Sequence, residues 1–479
     1  MRSEDYMRHD ALGLGERVRR GEVGAEELLE AAWARAEAAN PKIHAIVRPM
    51  LDEAQATIAA GLPRGPLAGV PFLLKDLYAC YAGSPLTNGS RFFADFVPPA
   101  DSETVRRLRA AGLVVFGRTN TSEFGLHMMT EPRLFGPTYN PWDLTRSPGG
   151  SSGGAGAAVA AGIVPAAHGS DGGGSIRIPS ACCGLFGLKP SRGRVPSGPF
   201  AFTVAMLSAQ HVLTRSVRDS AAFLDVLAGP ATGEVYAGPP PGRFLDALQR
   251  PRERLRIAFS AERPSGGKVS PDCAQAVDSA ARLCADLGHE VTEARPEYDA
   301  AAFDEALSLY TGVQVAAGLK ARSALVGRPP GEDDIEPVTR ACWEAGEQRT
   351  AVEVARAVET LHWIARSFSL FFERFDAFLC PTLAEPPPKV GTISMLDEDA
   401  ERFTRAVFEI SPFCHICNTA GLPSMNVPLY WNREGLPIGV IFSSSYGAEA
   451  KLLRLARSLE EARPWAERRP PLATAGKAG

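Results

Sequence analysis

The chain has 479 residues and a formal net charge of −4. This length is enough to bury a large hydrophobic core, in one large α/β fold or in two or three domains. Lys and Arg residues are scattered along the chain, so no basic surface for nucleic acid is predicted. The nine cysteines are odd in number and scattered, which argues against a secreted disulfide framework.

The first ten residues are polar and contain no apolar signal core, which argues against a cleaved secretion signal. The longest apolar stretch, 155–167, is interrupted by Gly162 and Pro165 and is too short to span a bilayer. We therefore expect a cytoplasmic protein without a membrane partner.

Helices and strands are predicted to alternate along the chain. The first clear helix is predicted from Gly24 to Ala39, and Asn40-Pro41 should end it. Its apolar face consists of Leu28, Leu29, Ala32, Trp33 and Ala36.

Two buried strands and a helix are predicted next. An apolar run from Val70 to Leu74 predicts a strand that ends in Lys75. Asp101 is predicted to cap a helix that ends at Gly112, and a buried strand follows over 113–116.

The rest of the chain continues the alternation. The small residues of 153–162 predict a helix packed closely against the sheet, and 255–259 reads as a strand. Helices are predicted over 271–287 and about 352–372. The pattern indicates an α/β fold with a largely buried, mostly parallel or mixed sheet.

One stretch, 229–242, is rich in Pro and Gly and predicts an exposed connector. It can separate a smaller helical subdomain over about 265–375, but the late strands should return to the main sheet. We therefore treat 1–479 as a single domain.

Two glycine-rich loops carry the strongest chemical signal. Ser151 lies in Pro148-Gly-Gly-Ser-Ser-Gly-Gly154, and Ser175 lies in Gly169-Ser-Asp-Gly-Gly-Gly-Ser-Ile-Arg-Ile-Pro179. Glycine lets backbone amides approach another atom closely, so the loops predict amides aimed at a ligand. Neither phosphate-binding order of glycines occurs in them.

The two loops allow two interpretations of the nucleophile. Gly149-Gly-Ser-Ser-Gly153 fits the G-x-S-x-G elbow with Ser151 as nucleophile. The other interpretation takes Ser175 as nucleophile and the amides of Gly172, Gly173, Gly174 and Ser175 as an oxyanion hole. An α/β-hydrolase of the first kind needs a downstream acid and histidine, and no downstream histidine (His289, His362, His415) lies in a loop motif.

A serine hydroxyl needs a base, which is usually His but can be Lys. Lys75 ends a buried strand, where a charged group requires a partner or a purpose. The alternative is a lysine that reaches solvent and pairs with Asp76. Two shorter motifs are interpreted as incidental: Ser265-Gly-Gly-Lys268 lies in a turn-like segment, and Cys414-His-Ile-Cys417 has no second ligand pair nearby. No metal site is predicted.

Together these residues resemble the amidase signature family. Lys75 after Gly-Val-Pro, Ser151 and Ser175 match that family's triad of Lys, cis-Ser and Ser. The resemblance covers nearly the whole chain and implies a mixed central β-sheet flanked on both faces by helices. The further matching segments are 117–124, 139–142, 184–190, 378–382, 420–428 and 435–440.

The resemblance implies amide hydrolysis through an acyl-enzyme on Ser175, without a cofactor. Neutral Lys75 would accept the proton of Ser175 through Ser151, and burial would lower the lysine pKa. The peptide bond between Gly150 and Ser151 would be cis. Asp171 and Arg177 match positions that hold the shape of the oxyanion loop.

One position departs from the family pattern. The residue after Asp171 is usually Thr, Ile or Ser, whereas this chain has Gly172. The additional glycine should make the isolated loop less rigid, so that the loop depends more on its packing.

The segment 124–130 corresponds to the family's acyl pocket, with Gly125, Leu126 and His127 as candidate lining residues. It is mostly apolar and lacks a cation, which favours a neutral aliphatic or aryl acyl chain. Met128 and Met129 either line this pocket or belong to the core.

Segments 167–171 and 464–470 most resemble the branch that includes 6-aminohexanoate cyclic dimer hydrolases, which act on nylon oligomers. Small carbamates are an alternative substrate class. A glutaminase subunit of a tRNA-dependent amidotransferase is a further alternative, because it shares the triad. We expect a small-molecule substrate and a monomer or homodimer.

Overall fold

In the computed structural model, residues 1–199, 206–236, 238–240 and 242–474 are described. In this part of the chain, eleven strands form one sheet. The strands are β1 Ile46–Pro49, β2 Pro71–Lys75, β3 Val114–Thr119, β4 Ala166–Asp171, β5 Phe186–Lys189, β6 Ala209–Thr214, β7 Arg256–Phe259, β8 Glu290–Glu293, β9 Ala377–Pro381, β10 Ser424–Trp431 and β11 Pro437–Ser443.

Helices connect and cover these strands. They are α1 Ser3–Arg8, α2 Ala11–Arg19, α3 Ala25–Ile43, α4 Leu51–Ala59, α5 Glu103–Ala110, α6 Gly153–Ala160, α7 Arg177–Cys183, α8 Val217–Leu227, α9 Phe244–Ala247, α10 Pro271–Asp286, α11 Ala300–Val326, α12 Pro337–Glu347, α13 Ala351–Leu370, α14 Ala400–Ile410, α15 His415–Thr419, α16 Glu449–Ala462 and α17 Pro471–Thr474.

The strand order is β1-β3-β2-β4-β6-β5-β10-β11-β9-β7-β8. Strands β3, β2 and β4 are parallel neighbours, as are β9, β7 and β8, and the other pairs are antiparallel. The sheet is therefore mixed and flanked by helices, as the sequence predicts.

Three parallel strands bring polar residues to one edge of the sheet. The carboxyl ends of parallel neighbours lie at the same edge, and β2, β3 and β4 end at Lys75, Thr119 and Asp171. All residues of these strands are buried. The glycine-rich loop after β4 therefore begins beside the end of β2.

Helix α6 packs very closely against its neighbours, as its small residues predict. It contacts β2, β3, β4 and α7. A Cβ added at Gly154 would lie 2.4 Å from the backbone nitrogen of Asn120. Glycine is required at this position because no side chain fits between the two backbones.

The predicted end of helix α3 is wrong. Asn40-Pro41 does not end the helix, which continues to Ile43 and includes Pro41. Pro41 has no N–H to donate to the carbonyl four residues earlier, so the helix lacks one hydrogen bond there but continues for two more residues. The Asn40 side chain stabilises this end, since its Oδ1 accepts hydrogen bonds from the N–H groups of Ala45 and Ile46.

The predicted cap of helix α5 is also wrong by one residue. Ser102, not Asp101, is the N-cap. Asp101 instead accepts hydrogen bonds from Ala82 N at 2.8 Å and from the Arg109 guanidinium at 2.6 Å. Gly112 follows the helix with φ 82°, as expected for a glycine beyond a helix end.

Half of the described residues of 229–242 are exposed and Gly229 is buried, and Arg194 donates hydrogen bonds to the carbonyls of Pro239 and Pro240. The late strands β9, β10 and β11 return to the main sheet. Helices α12 and α13 both pack on α11, whereas α10 packs on β9, β10 and β11. A helical subdomain over about 265–375 stays a prediction.

Candidate active site

Lys75 is buried at the end of β2 and contacts two serine hydroxyls. Its Nζ lies 2.7 Å from Ser151 Oγ and 2.9 Å from Ser170 Oγ. It does not pair with Asp76, whose carboxylate accepts hydrogen bonds from the backbone and side chain of Thr87. The solvent-exposed alternative for Lys75 is therefore wrong, because the strand ends inside the protein.

Burial determines the electrostatics of this lysine. Removal from water disfavours the charged amine and lowers the pKa of Lys75 to about 7, although the Asp171 carboxylate opposes this shift. A large fraction of the amine is thus uncharged at neutral pH. The neighbouring β2 residues Phe72, Leu73 and Leu74 are fully buried as well.

Ser151 lies in the loop that precedes α6, and its hydroxyl is the hydrogen-bond partner of Lys75. The peptide bond between Gly150 and Ser151 is cis, as the resemblance implies. Thr130 holds the loop, since its Oγ1 donates to Gly149 O at 2.9 Å and accepts from Gly153 N at 3.1 Å.

Ser175 lies just before α7 and is half-buried. Its hydroxyl forms no hydrogen bond with any described residue, and it lines the same cavity as Ser151 and Ser170. Its carbonyl oxygen accepts a hydrogen bond from Ser152 N at 3.3 Å. The fold therefore brings both glycine-rich loops to one cavity and leaves this hydroxyl free to react.

Asp171 and Arg177 form a buried ion pair inside the loop that carries Ser175. Both side chains are fully buried, and the guanidinium donates to both carboxylate oxygens at 2.9 and 3.0 Å. The Arg177 charge holds the pKa of Asp171 well below its usual range. The carboxylate also accepts from the backbone amides of Gly174 at 2.7 Å and Ile176 at 3.1 Å. These bonds fix the shape of the loop.

The four backbone amides of the candidate oxyanion hole are not equivalent. Those of Gly172, Gly173 and Ser175 form no hydrogen bond with described residues, and these three residues line the cavity. The Gly174 amide already donates to Asp171. The geometry therefore departs from the sequence prediction at Gly174, because this amide serves the structure of the loop.

Steric space also differs along this loop. A Cβ at Gly173 would lie 2.5 Å from the His415 ring, and Gly174 has φ 128° with Ile178 at 2.6 Å from its added Cβ. A Cβ at Gly172 would meet no atom within 4 Å. The glycine that departs from the family pattern is thus the one whose replacement the packing permits.

Sequence reasoning missed two residues at this site. Asn418 on α15 donates to Asp171 O at 2.7 Å and accepts from Arg177 at 2.6 Å. Ser170 is the second hydroxyl partner of Lys75. Ser170 lies within the glycine-rich segment 169–179 and could have been found there. The residues around Asn418 contain no motif that predicts a role at the site.

The cavity has a volume of about 480 Å³ and a mostly apolar wall. Its lining includes Gly125, Leu126 and His127, and also Phe93 and Phe124. Met128 and Met129 take different roles, since the first lines the cavity and the second is fully buried in the core.

A cation does line this cavity, although the segment 124–130 contains none. Arg322 of α11 contributes to the wall. Its guanidinium donates to the carbonyl of Phe92 at 3.2 Å and pairs with Asp95. Because Asp95 neutralises this charge, the cavity remains suited to a neutral acyl chain.

His127 is a buried wall residue. Its Nε2 lies 3.1 Å from the Ile393 carbonyl, and its ring centroid lies 4.9 Å from that of Phe403. Burial lowers the pKa of His127 to about 4. The ring is therefore neutral at physiological pH.

Cys414 and Cys417 are free, buried thiols, as expected. The described residues include no group of three or more His, Cys, Asp and Glu side chains placed to hold a metal ion. Among the described helices, none is both long enough and apolar enough to cross a membrane.

Comparison with known proteins decides the family. The family model described as Amidase matches residues 27–453. The chain belongs to the amidase family. Its sequence is 37% identical over 477 residues to the 6-aminohexanoate-cyclic-dimer hydrolase of Paenarthrobacter ureafaciens, covering 97% of this chain and 96% of the relative.

Solved structures of amidases agree with this assignment. The substrate complex of a 6-aminohexanoate cyclic dimer hydrolase superposes with a TM-score of 0.93 at 36% identity, covering 98% of this chain and 99% of the other. A bacterial aryl acylamidase of the amidase signature family superposes with a TM-score of 0.87 at 27% identity, covering 96% and 97%. This amidase is therefore an amide-cleaving hydrolase with the amidase signature fold.

Proposed function

We propose that this amidase cleaves neutral aliphatic or aryl amides, including aminohexanoate oligomers, through an acyl-enzyme on Ser175. The observation that carries the proposal is the hydrogen bond between buried Lys75 and Ser151, in a cavity that Ser175 also lines. A lysine with a pKa of about 7 is suited to general-base catalysis at neutral pH.

The proposed first step is nucleophilic attack. Neutral Lys75 accepts the proton of Ser151, which takes that of Ser175, and Ser175 Oγ forms a bond to the carbonyl carbon. The negative charge that develops on the carbonyl oxygen is stabilised by the free amides of Gly172, Gly173 and Ser175. Loss of one such donor costs roughly 3 to 4 kcal/mol of transition-state stabilisation in comparable sites.

The proposed second step releases the amine. Ser151 returns a proton to the nitrogen as the carbon–nitrogen bond breaks, because an amine leaves poorly unless it is protonated. Water then attacks the acyl-enzyme, with the same lysine and serine accepting its proton. The products are a carboxylic acid, an amine and the free enzyme.

The proposed substrate class is supported by the cavity wall. Phe93, Phe124 and Leu126 present apolar surface, and the one arginine among the described residues of the wall, Arg322, is paired with Asp95. The relatives named as hydrolases of 6-aminohexanoate cyclic dimer also cover almost the whole chain. Both observations favour an uncharged acyl chain rather than a free amino acid.

The proposal is tested with the purified chain alone. Turnover is measured on aryl amides, the cyclic dimer and linear oligomers of 6-aminohexanoate, small carbamates and glutamine. We expect hydrolysis of an aryl amide or an aminohexanoate substrate, and no such activity in Ser175→Ala. Cleavage of glutamine alone would overturn the substrate class, and cleavage of carbamates alone would support the urethane alternative.

A further inference from the structure

Helix α11 forms a wall of the active-site cavity and presents three uncharged polar residues there, Ser308, Thr311 and Gln314. Thr311 and Gln314 lie one turn apart and both line the cavity. Neither side chain forms a hydrogen bond with a described residue. Arg322, on the same wall, differs because its Nε donates to the carbonyl of Phe92 and its Nη2 pairs with Asp95.

The proposed reaction assigns no role to the side chains of Thr311 and Gln314. The scissile amide would be held by the free amides of Gly172, Gly173 and Ser175 and protonated by Ser151, so α11 takes no part in bond cleavage. A polar group in a mostly apolar cavity lowers affinity for a purely apolar ligand, because it loses water on binding and gains no partner. Gln314 and Thr311 are therefore matched to a ligand with polar atoms at a second position.

The chemistry of Gln314 specifies those polar atoms. A carboxamide offers one acceptor oxygen and two N–H donors, which pair with the N–H and C=O of a secondary amide. Thr311 adds a hydroxyl that donates or accepts one turn away.

Space along the same helix allows a substrate longer than one amide unit. Ser308 lies one turn before Thr311 and lines both this cavity and a second cavity of about 750 Å³. Cys342, Thr404 and Phe408 also line both cavities. The polar side of α11 thus runs from the active-site cavity toward additional space.

We propose that Gln314, assisted by Thr311, binds a second amide of the substrate that is not the one cleaved. This inference rests on the proposed function and narrows its substrate class to diamides and oligoamides with regularly spaced amide groups. Gln314 is a specificity-determining residue in this proposal, and Ser175 attacks only the scissile carbonyl.

A double-mutant cycle between enzyme and substrate tests the proposal. The probes are two pairs of anilides, in which a second amide is present or is replaced by methylene groups at equal chain length. The second amide lies on the acyl side in one pair and on the amine side in the other. Each probe is assayed with the wild-type enzyme and with Gln314→Met, which keeps side-chain length but removes the hydrogen bonds.

For at least one pair, we expect Gln314→Met to lower kcat/KM on the diamide roughly 3- to 10-fold more than on the methylene analogue, as one neutral hydrogen bond implies. The loss should appear mainly in KM. Gln348→Met is the matched control, because Gln348 is exposed at the end of α12 and does not line the cavity. This variant should leave kcat/KM unchanged on both members of each pair.

An equal effect on both members of each pair, or no effect on any, would overturn the inference. Circular dichroism checks the fold of the variant. If Gln314→Met does not fold, kcat/KM of Thr311→Val is measured on the same four anilides instead. Failure of the proposed function has a different signature, since the wild-type enzyme would then cleave none of the four anilides.

Discussion

Lys75 Nζ lies 2.7 Å from Ser151 Oγ, and both residues are at most 1% exposed. A charged amine at this position would lack the hydration that it has in water, and its other close partner is also a hydroxyl, that of Ser170. The neutral amine is thus favoured by the fold itself. The catalytic proposal depends on this protonation state.

The rate should follow the protonation of Lys75. Since its pKa is lowered to about 7, lowering the pH below this value protonates the base, and kcat/KM should fall about tenfold per pH unit. Above this pH the rate should level. Lys75→Met should lose at least roughly 100-fold in activity, with partial recovery at high pH, where hydroxide can act as the base.

A second buried lysine provides the control for this pH profile. Burial also lowers the pKa of Lys189 to about 7, but its Nζ donates to the carbonyl of Pro190 and does not contact the serines. In Lys189→Met, kcat/KM should therefore still fall as the pH is lowered below about 7 (the acidic limb of the pH profile). A limb that disappears in Lys189→Met and persists in Lys75→Met would contradict the assignment.

Covalent labelling should separate the two serines. A fluorophosphonate should modify Ser175 in the wild-type enzyme, as mapped by mass spectrometry of peptides. Ser175→Ala should give no adduct, whereas Ser151→Ala should react slowly, because the nucleophile remains and the proton relay is lost. An adduct on Ser151 in the wild-type enzyme would refute the proposed roles.

The buried ion pair predicts a large effect of Asp171 on stability. Asp171→Asn leaves the Arg177 guanidinium buried without a charged partner, which costs about 3 to 5 kcal/mol of unfolding free energy. Urea unfolding measures this change. Asp397→Asn breaks a pair with the exposed Arg402 and should change stability little. If both variants lost a similar amount of unfolding free energy, burial of the Asp171–Arg177 pair would not explain the loss in Asp171→Asn.

Two adjacent glycines of the oxyanion loop should respond differently to alanine. At Gly172 the added methyl group meets open space, so Gly172→Ala should keep activity and raise stability by about 0.4 to 1 kcal/mol. At Gly173 the methyl group would lie 2.5 Å from the His415 ring, and the overpacking should cost roughly 1 to 3 kcal/mol and most of the activity. Thermal unfolding and aryl-amide turnover compare the two variants.

The sequence was sufficient for the fold class, and the two candidate serines that it offers line one cavity in the structure. Strand β2 was predicted almost to the residue, because a short apolar run that ends in lysine has few other interpretations. The boundaries of α3 and α5 were predicted less well. At each boundary a side chain bonds a segment outside the helix: Asn40 accepts from Ala45 and Ile46, and Asp101 accepts from Ala82. Helix propensity does not predict such hydrogen bonds.

Residues far apart in the chain could not be assigned from their own segments. Asn418 bonds Asp171 across the sheet, and Arg322 reaches the cavity from α11. Their sequence surroundings resemble those of ordinary helical residues. They are distinguished only by their positions in the fold, since α11 forms part of the cavity wall and α15 lies beside Asp171.

By itself, the sequence determined the fold class and identified the candidate reacting groups, because two glycine-rich loops at a fixed spacing and a lysine after an apolar strand carry their chemistry in their local order. The tertiary structure decided that Lys75 is buried and that its pKa is lowered to about 7, that the Gly174 amide is occupied by Asp171, and that Gln314 lines the cavity. The reason is physical: pKa values, hydrogen-bond occupancy and cavity walls depend on what distant segments place around a residue, and local sequence does not specify those neighbours.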